Sequence, residues 1–106
     1  ERLDEHFHKL RPQWPLLERK PSEIICGPQV AFTCEPEESI LPYVLDTIGI
    51  TQVMYASDYR HWDSEFPESV RDVSRIPGMT EEKLRHVLGQ NAVRFFNLKP
   101  EDLPIR

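Results

Sequence analysis

The sequence predicts an α/β fold, and three consecutive patterns predict it. Gln29-Val30-Ala31-Phe32-Thr33-Cys34 is an extended run rich in β-formers. Ile40, Leu41, Val44, Leu45 and Ile48 then recur at spacings of one, three and four, the stripe of a helix that buries one face, and Gly49 supplies its stop. Ile50 to Ala56 follows as a short apolar run between Gly49 and Ser57-Asp58, the pattern of a buried parallel strand. Strand, helix and strand with tight joints form a βαβ unit, whose right-handed crossover makes the two strands parallel members of one sheet.

The flanking segments follow in order. From Glu1 to Leu10 the apolar residues Leu3, Phe7 and Leu10 keep helical spacing, with acids early and Lys9 and Arg11 late, as the helix dipole favours; the helix ends near Pro12. Three prolines between Arg11 and Pro21 make that stretch a connector, so residues 1–20 read as helix and linker and residues 21–106 as the strand-helix-strand-helices region. Ser22 to Cys26 is expected to open a short strand, interrupted by Gly27-Pro28. Pro36, with Glu37 and Glu38 beside it, is placed in the first turn of the following helix.

Beyond Asp58, Tyr59 to Glu65 is a polar loop. Pro67 is expected to open a helix running to about Ile76, where Pro77-Gly78 ends it. Thr80 is the N-cap of the next helix, without a full capping box because Lys83 stands at the third position. Leu84, Val87 and Leu88 form its buried face and Gly89 closes it. Asn91 to Phe96 is one more short helical segment carrying Val93 and Phe96 inward. The Pro-rich tail from Lys99 is expected to be ordered only by docking.

Composition bounds the function. The 106 residues allow one small domain, and 39% hydrophobic with 29% charged residues place the chain among globular proteins rather than disordered or collagenous ones. A net charge of -5 and no basic stripe argue against a nucleic-acid partner. No apolar stretch approaches the ~20 residues that span a bilayer, so no membrane partner is expected. The chain enters directly on a charged amphipathic pattern without a starting Met or a signal peptide. It is therefore expected to be a fragment of a longer cytoplasmic protein. Cys26 and Cys34 are too few for a disulfide scaffold and are expected to stay reduced.

Asp58 is the first candidate for chemistry, because it follows the C-terminal end of an apolar strand, the edge of a parallel sheet where ligands bind. An N-cap or turn acid has the same local pattern, and the residues alone leave both readings open. His6-Phe7-His8 has the spacing of two metal ligands on a strand, but on a helix the two rings lie about 200° apart and do not reach one ion. His86 falls on the solvated side of its helix. Asp63 and Glu65 are read as acids at the start of the Pro67 helix, where the dipole favours negative charge. Asn91 is read as structural, its amide binding backbone groups to hold the final turn.

The wording around Asp58 adds to this. Val53-Met54-Tyr55-Ala56-Ser57-Asp58-Tyr59-Arg60-His61-Trp62-Asp63-Ser64, followed by Phe66-Pro67, resembles the segment at the last barrel strand of the amidohydrolase-related family, apolar-Ser-Asp-Tyr-Pro-His, then Asp and a Pro-led helix. Leu88 to Leu98 resembles that family's closing Gly-Asn-Ala-x-Arg-x-Phe segment, and Pro21-Ser22 its lead-in to strand seven. The resemblance runs from about Pro21 onward.

It implies a (β/α)8 TIM barrel with a divalent metal, expected to be zinc, at its C-terminal mouth. This chain would supply about strands seven and eight plus flanking helices. Asp58 then matches the metal-binding or proton-shuttling carboxylate, and His61 a catalytic group beside it that orients the carboxylate or lines the pocket. Arg60 and Trp62 flank His61 and are expected to bind substrate. Arg60 stands where the family has Pro, which is expected to loosen the turn. The implied function is metal-dependent hydrolysis or nonoxidative decarboxylation of a small organic molecule. The histidine ligands of strands one, five and six have no counterpart here, so the fragment alone is expected to be inactive. Two strands leave open edges, so homo-oligomers are expected. The alternative is a non-enzymatic α/β interaction or oligomerisation module in which Ser57-Asp58 merely caps a turn.

Overall fold

The computed structural model describes residues 1–103, arranged in two compact units, Glu1–Val30 and the chain from Ala31 onward. The first unit holds helices α1 (Arg2–Lys9) and α2 (Pro21–Ile25), with a 3-10 turn at Arg11–Gln13 between them. Phe7 is the buried residue of α1, and the Arg11 guanidinium lies 4.9 Å from its ring centroid. Asp4 of α1 accepts hydrogen bonds from the Ser22 backbone N–H (2.9 Å) and hydroxyl, satisfying an N–H that the first turn of α2 leaves without a helical partner. Those two bonds from Ser22 hold the Asp4 carboxyl below the usual aspartate range.

The strand expected at Ser22 to Cys26 is therefore a helix. Pro21 occupies its first turn, a position that suits helix as well as it suits an extended break, and the Asp4 cap, distant in sequence, decides between them.

In the second unit β1 (Phe32–Cys34), α3 (Leu41–Ile48) and β2 (Val53–Tyr55) form the βαβ unit. The strands are parallel, with Phe32 opposite Val53 and Cys34 opposite Tyr55. Gly49 ends α3 at φ 110°, a left-handed conformation that favours glycine. The helix begins at Leu41 with Pro42 in its first turn; Pro36, Glu37 and Glu38 lie in turns ahead of it, where the backbone N–H of Leu41 bonds to the Glu38 carbonyl.

Helix α4 (Ser69–Arg75) starts later than Pro67, which follows Phe66 through a cis peptide in the preceding loop. Thr80 caps α5 (Glu81–Arg85) as expected, its hydroxyl accepting from the Lys83 N–H at 3.2 Å. Gly89 does not close that helix. The chain continues through a π turn (His86–Gln90) into α6 (Asn91–Phe95), and Phe96 is 61% exposed rather than inward. A 3-10 turn at Pro100–Asp102 begins the tail, and the rest of the tail expectation, residues 104–106, lies outside the described residues.

The core of the second unit draws on β1, α3, β2, α4 and the π turn: Cys34, Leu41, Leu45, Val53, Val73, Ile76 and Val87, with Leu84 and Leu88 packed against it. The predicted faces of α3 and of the α5 region converge on the sheet, except that Ile40, expected in the α3 stripe, precedes the helix as its N-cap and is 66% exposed. Lys83 ties α5 to α3 through the Pro42 carbonyl (3.2 Å) and Asp46 (2.8 Å). Among the described residues no helix is long and apolar enough to cross a membrane.

Candidate active-site loop

Asp58 lies just beyond the C-terminal end of β2, on the loop of residues 56–68 that leads to α4. The Ala56 N–H still bonds to the Cys34 carbonyl at 3.0 Å, so the sheet holds the chain to within two residues of the carboxylate. Asp58 then turns into the left-handed region at φ 48°, a conformation that Asp tolerates because its short polar side chain bonds locally. Its carbonyl accepts from the His61 N–H at 3.0 Å, and its Oδ2 meets His61 Nδ1 at 2.6 Å.

The ligand atoms of Asp58, His61 and Asp63 all lie within 4.8 Å of one another. Asp63 therefore joins the other two rather than sitting in the first turn of the next helix, which begins only at Ser69. The His61 imidazole is 70% and the Asp58 carboxylate 37% exposed, so the pair opens to solvent on one side.

Arg60 and Trp62 flank His61 on the same loop. The Arg60 guanidinium lies over the Tyr59 ring at 5.7 Å, and Trp62 is 96% exposed. Arg60 adopts φ 83°, which the proline ring, fixed near −65°, forbids. A residue other than Pro at this position thus permits a left-handed turn. His6 and His8 lie on α1, outside the cluster, as the helical reading of their spacing requires.

Several supporting contacts escaped the sequence reading because their partners are distant in the chain. The Ser64 hydroxyl donates to the Ser57 carbonyl at 2.7 Å. The Tyr55 hydroxyl meets that of Ser69, which is buried at the start of α4. Tyr59 and Phe66 pack ring against ring at 4.6 Å. The loop is thus closed at its base, middle and upper limb, as in a compact Ω-loop.

At the opposite end of β2, Asn91 is 1% exposed. Its Nδ2 donates to the carbonyls of Ile50 (2.8 Å) and Val53 (2.7 Å), while its Oδ1 lies 3.0 Å from His86 Nδ1. Asn91 is structural as read, but it holds the strand rather than its own turn. His86 is its partner rather than a purely solvated side chain.

The family model described as Amidohydrolase matches residues 1–98, most of the chain, and the chain belongs to that amidohydrolase family. The family implies a TIM-barrel, hydrolase-type enzyme, and the parallel βαβ unit is a repeat from which such a barrel is built. No curated protein matches the chain.

Proposed function

We propose that this chain supplies strands seven and eight of a metal-dependent amidohydrolase barrel, with Asp58 as the carboxylate that holds a divalent cation and moves a proton beside it. The observation that carries the reading is the Asp58–His61 pair at 2.6 Å at the C-terminal edge of a parallel strand. Two ligands of one tetrahedral zinc at about 2.0–2.1 Å stand roughly 3.3 Å apart, so a pair this close is a hydrogen bond, not two ligands. The donor set fits a cation bound through Asp58, with His61 fixing the oxygen it touches. This is the arrangement by which a neighbouring ring orients a ligating group.

Bound there, a divalent metal polarises the substrate or lowers the pKa of water. The chain's own contribution is to hold Asp58 in one orientation, to accept a proton on its carboxylate, and to keep His61 as the adjoining proton relay. Arg60 and Trp62, exposed on the same loop, are the groups available to an incoming small organic substrate. The reaction class is hydrolysis or nonoxidative decarboxylation.

The two described strands leave sheet edges that further barrel strands would cover, and an isolated copy would be inactive and self-associate. The buried, unbridged Cys34 thiol accords with a reducing cytoplasm. Asp58→Asn in the full-length protein should lower bound metal and abolish turnover of small amides, lactones or carboxylic acids. Metal content and turnover both equal to wild type would overturn the assignment and favour a binding module.

A further inference from the structure

Asp58 holds a left-handed backbone conformation, which a short acidic side chain tolerates through local hydrogen bonds, so the groups bonded on either side of it set its geometry. The dihedral φ of Asp58 is measured against the peptide plane that joins it to Ser57. Whatever fixes that plane therefore fixes one side of the torsion from which the Asp58 side chain is carried. The Ser57 carbonyl belongs to this plane, and its partner is the Ser64 hydroxyl at 2.7 Å. Ser64 is tied in turn to the returning limb: its N–H donates to the His61 carbonyl at 3.2 Å, and its hydroxyl accepts from the Phe66 N–H at 3.4 Å. One residue thus couples the peptide before Asp58, through its hydroxyl, to the turn that carries His61, through its backbone N–H.

We propose that Ser64 is a positioning residue: its hydroxyl, by holding the Ser57–Asp58 peptide, aims the Asp58 carboxylate at His61 Nδ1. Its relevance to catalysis rests on the reading of Asp58 given above, but its effect on geometry does not. With the hydroxyl removed, the Ser57 carbonyl is free to rotate, Asp58 relaxes toward an ordinary φ, and the Asp58–His61 bond is lost.

The test uses the full-length protein labelled with 15N at histidine, in buffer well above the imidazole range, with the His61 signal assigned by its loss in His61→Gln. Because a carboxylate accepts only, wild-type His61 is expected in the Nδ1–H tautomer. Ser64→Ala should lose that tautomer and weaken zinc binding about tenfold, while Ser64→Thr, which keeps the hydroxyl, retains both. If the alanine variant does not fold, Ser64→Cys, of similar size with a weak donor, must show the same loss. A wild-type Nε2–H tautomer, or retention of Nδ1–H in the variant that lacks the hydroxyl, overturns the proposal. Failure of the functional reading looks different: Asp58→Asn then leaves metal and turnover unchanged while the Ser64 variants still control the His61 tautomer.

Discussion

Asn91→Ala removes the donor that satisfies two backbone carbonyls at the start of β2. In the parallel ladder the Phe32 N–H bonds to the Gln52 carbonyl (2.8 Å) and the Ala56 N–H to the Cys34 carbonyl (3.0 Å). Even-numbered residues of β2 therefore face β1, and the Val53 carbonyl points away from it. The Asn91 amide satisfies that carbonyl on the side of β2 turned away from β1. Without it the buried Val53 carbonyl loses its Asn91 bond at a cost of about 2 kcal/mol, and the half-buried Ile50 carbonyl adds about 1 as water partly replaces the amide. The sum, about 3 kcal/mol, is a roughly 150-fold loss in the folding equilibrium. Urea denaturation of the full-length protein, followed by circular dichroism, measures it directly. Asn91→Asp should be at least as damaging, because it sets a carboxylate against two carbonyl oxygens. His86→Ala, which touches only the Asn91 Oδ1, should cost less. A loss below about 1 kcal/mol for Asn91→Ala would refute the reasoning, since that is the range of an exposed polar side chain.

Two further outcomes follow from the backbone and from burial. Arg60 sits at φ 83°, so Arg60→Pro, although it restores the residue of the family pattern, should destabilise the loop by about 3 kcal/mol. Arg60→Gly should be neutral or stabilising by about 1 kcal/mol. Equal melting temperatures for Arg60→Pro and wild type would contradict this. Burial, with the charges of Glu38 and Glu35 adding to it, pushes the Cys34 thiol up from 9.0 to about 11. Below both values its thiolate fraction is about 100-fold lower than that of an ordinary thiol, so iodoacetamide should modify the exposed Cys26 well before Cys34. The sign for stability is fixed by proton binding. Between 9 and 11 the folded state holds a proton that the unfolded state releases, so this contribution is intact below 9 and is lost as pH rises through that window. Equal alkylation rates at the two cysteines would show that Cys34 is not held in the core.

The sequence by itself determined the βαβ unit, because both of its signals are local. The α3 stripe from Leu41 to Ile48 with Gly49 behind it, and the apolar run into Asp58, each have one way to bury their faces. It also determined the Thr80 cap and the place of Asp58, since strand end and acid adjoin in the chain. Only the tertiary structure decided the rest, and in each case the deciding partner lies far away or across a turn. Asp4 makes residues 21–25 a helix, Asn91, itself bonded to His86, reaches back to the other end of β2, and the π turn carries the chain past Gly89. The Ser64–Ser57 bond and the positive φ of Asp58 and Arg60 shape the loop that brings Asp63 to His61. Hydrophobic period records which face is buried; it carries no record of which polar group, many residues distant, will complete a backbone left open.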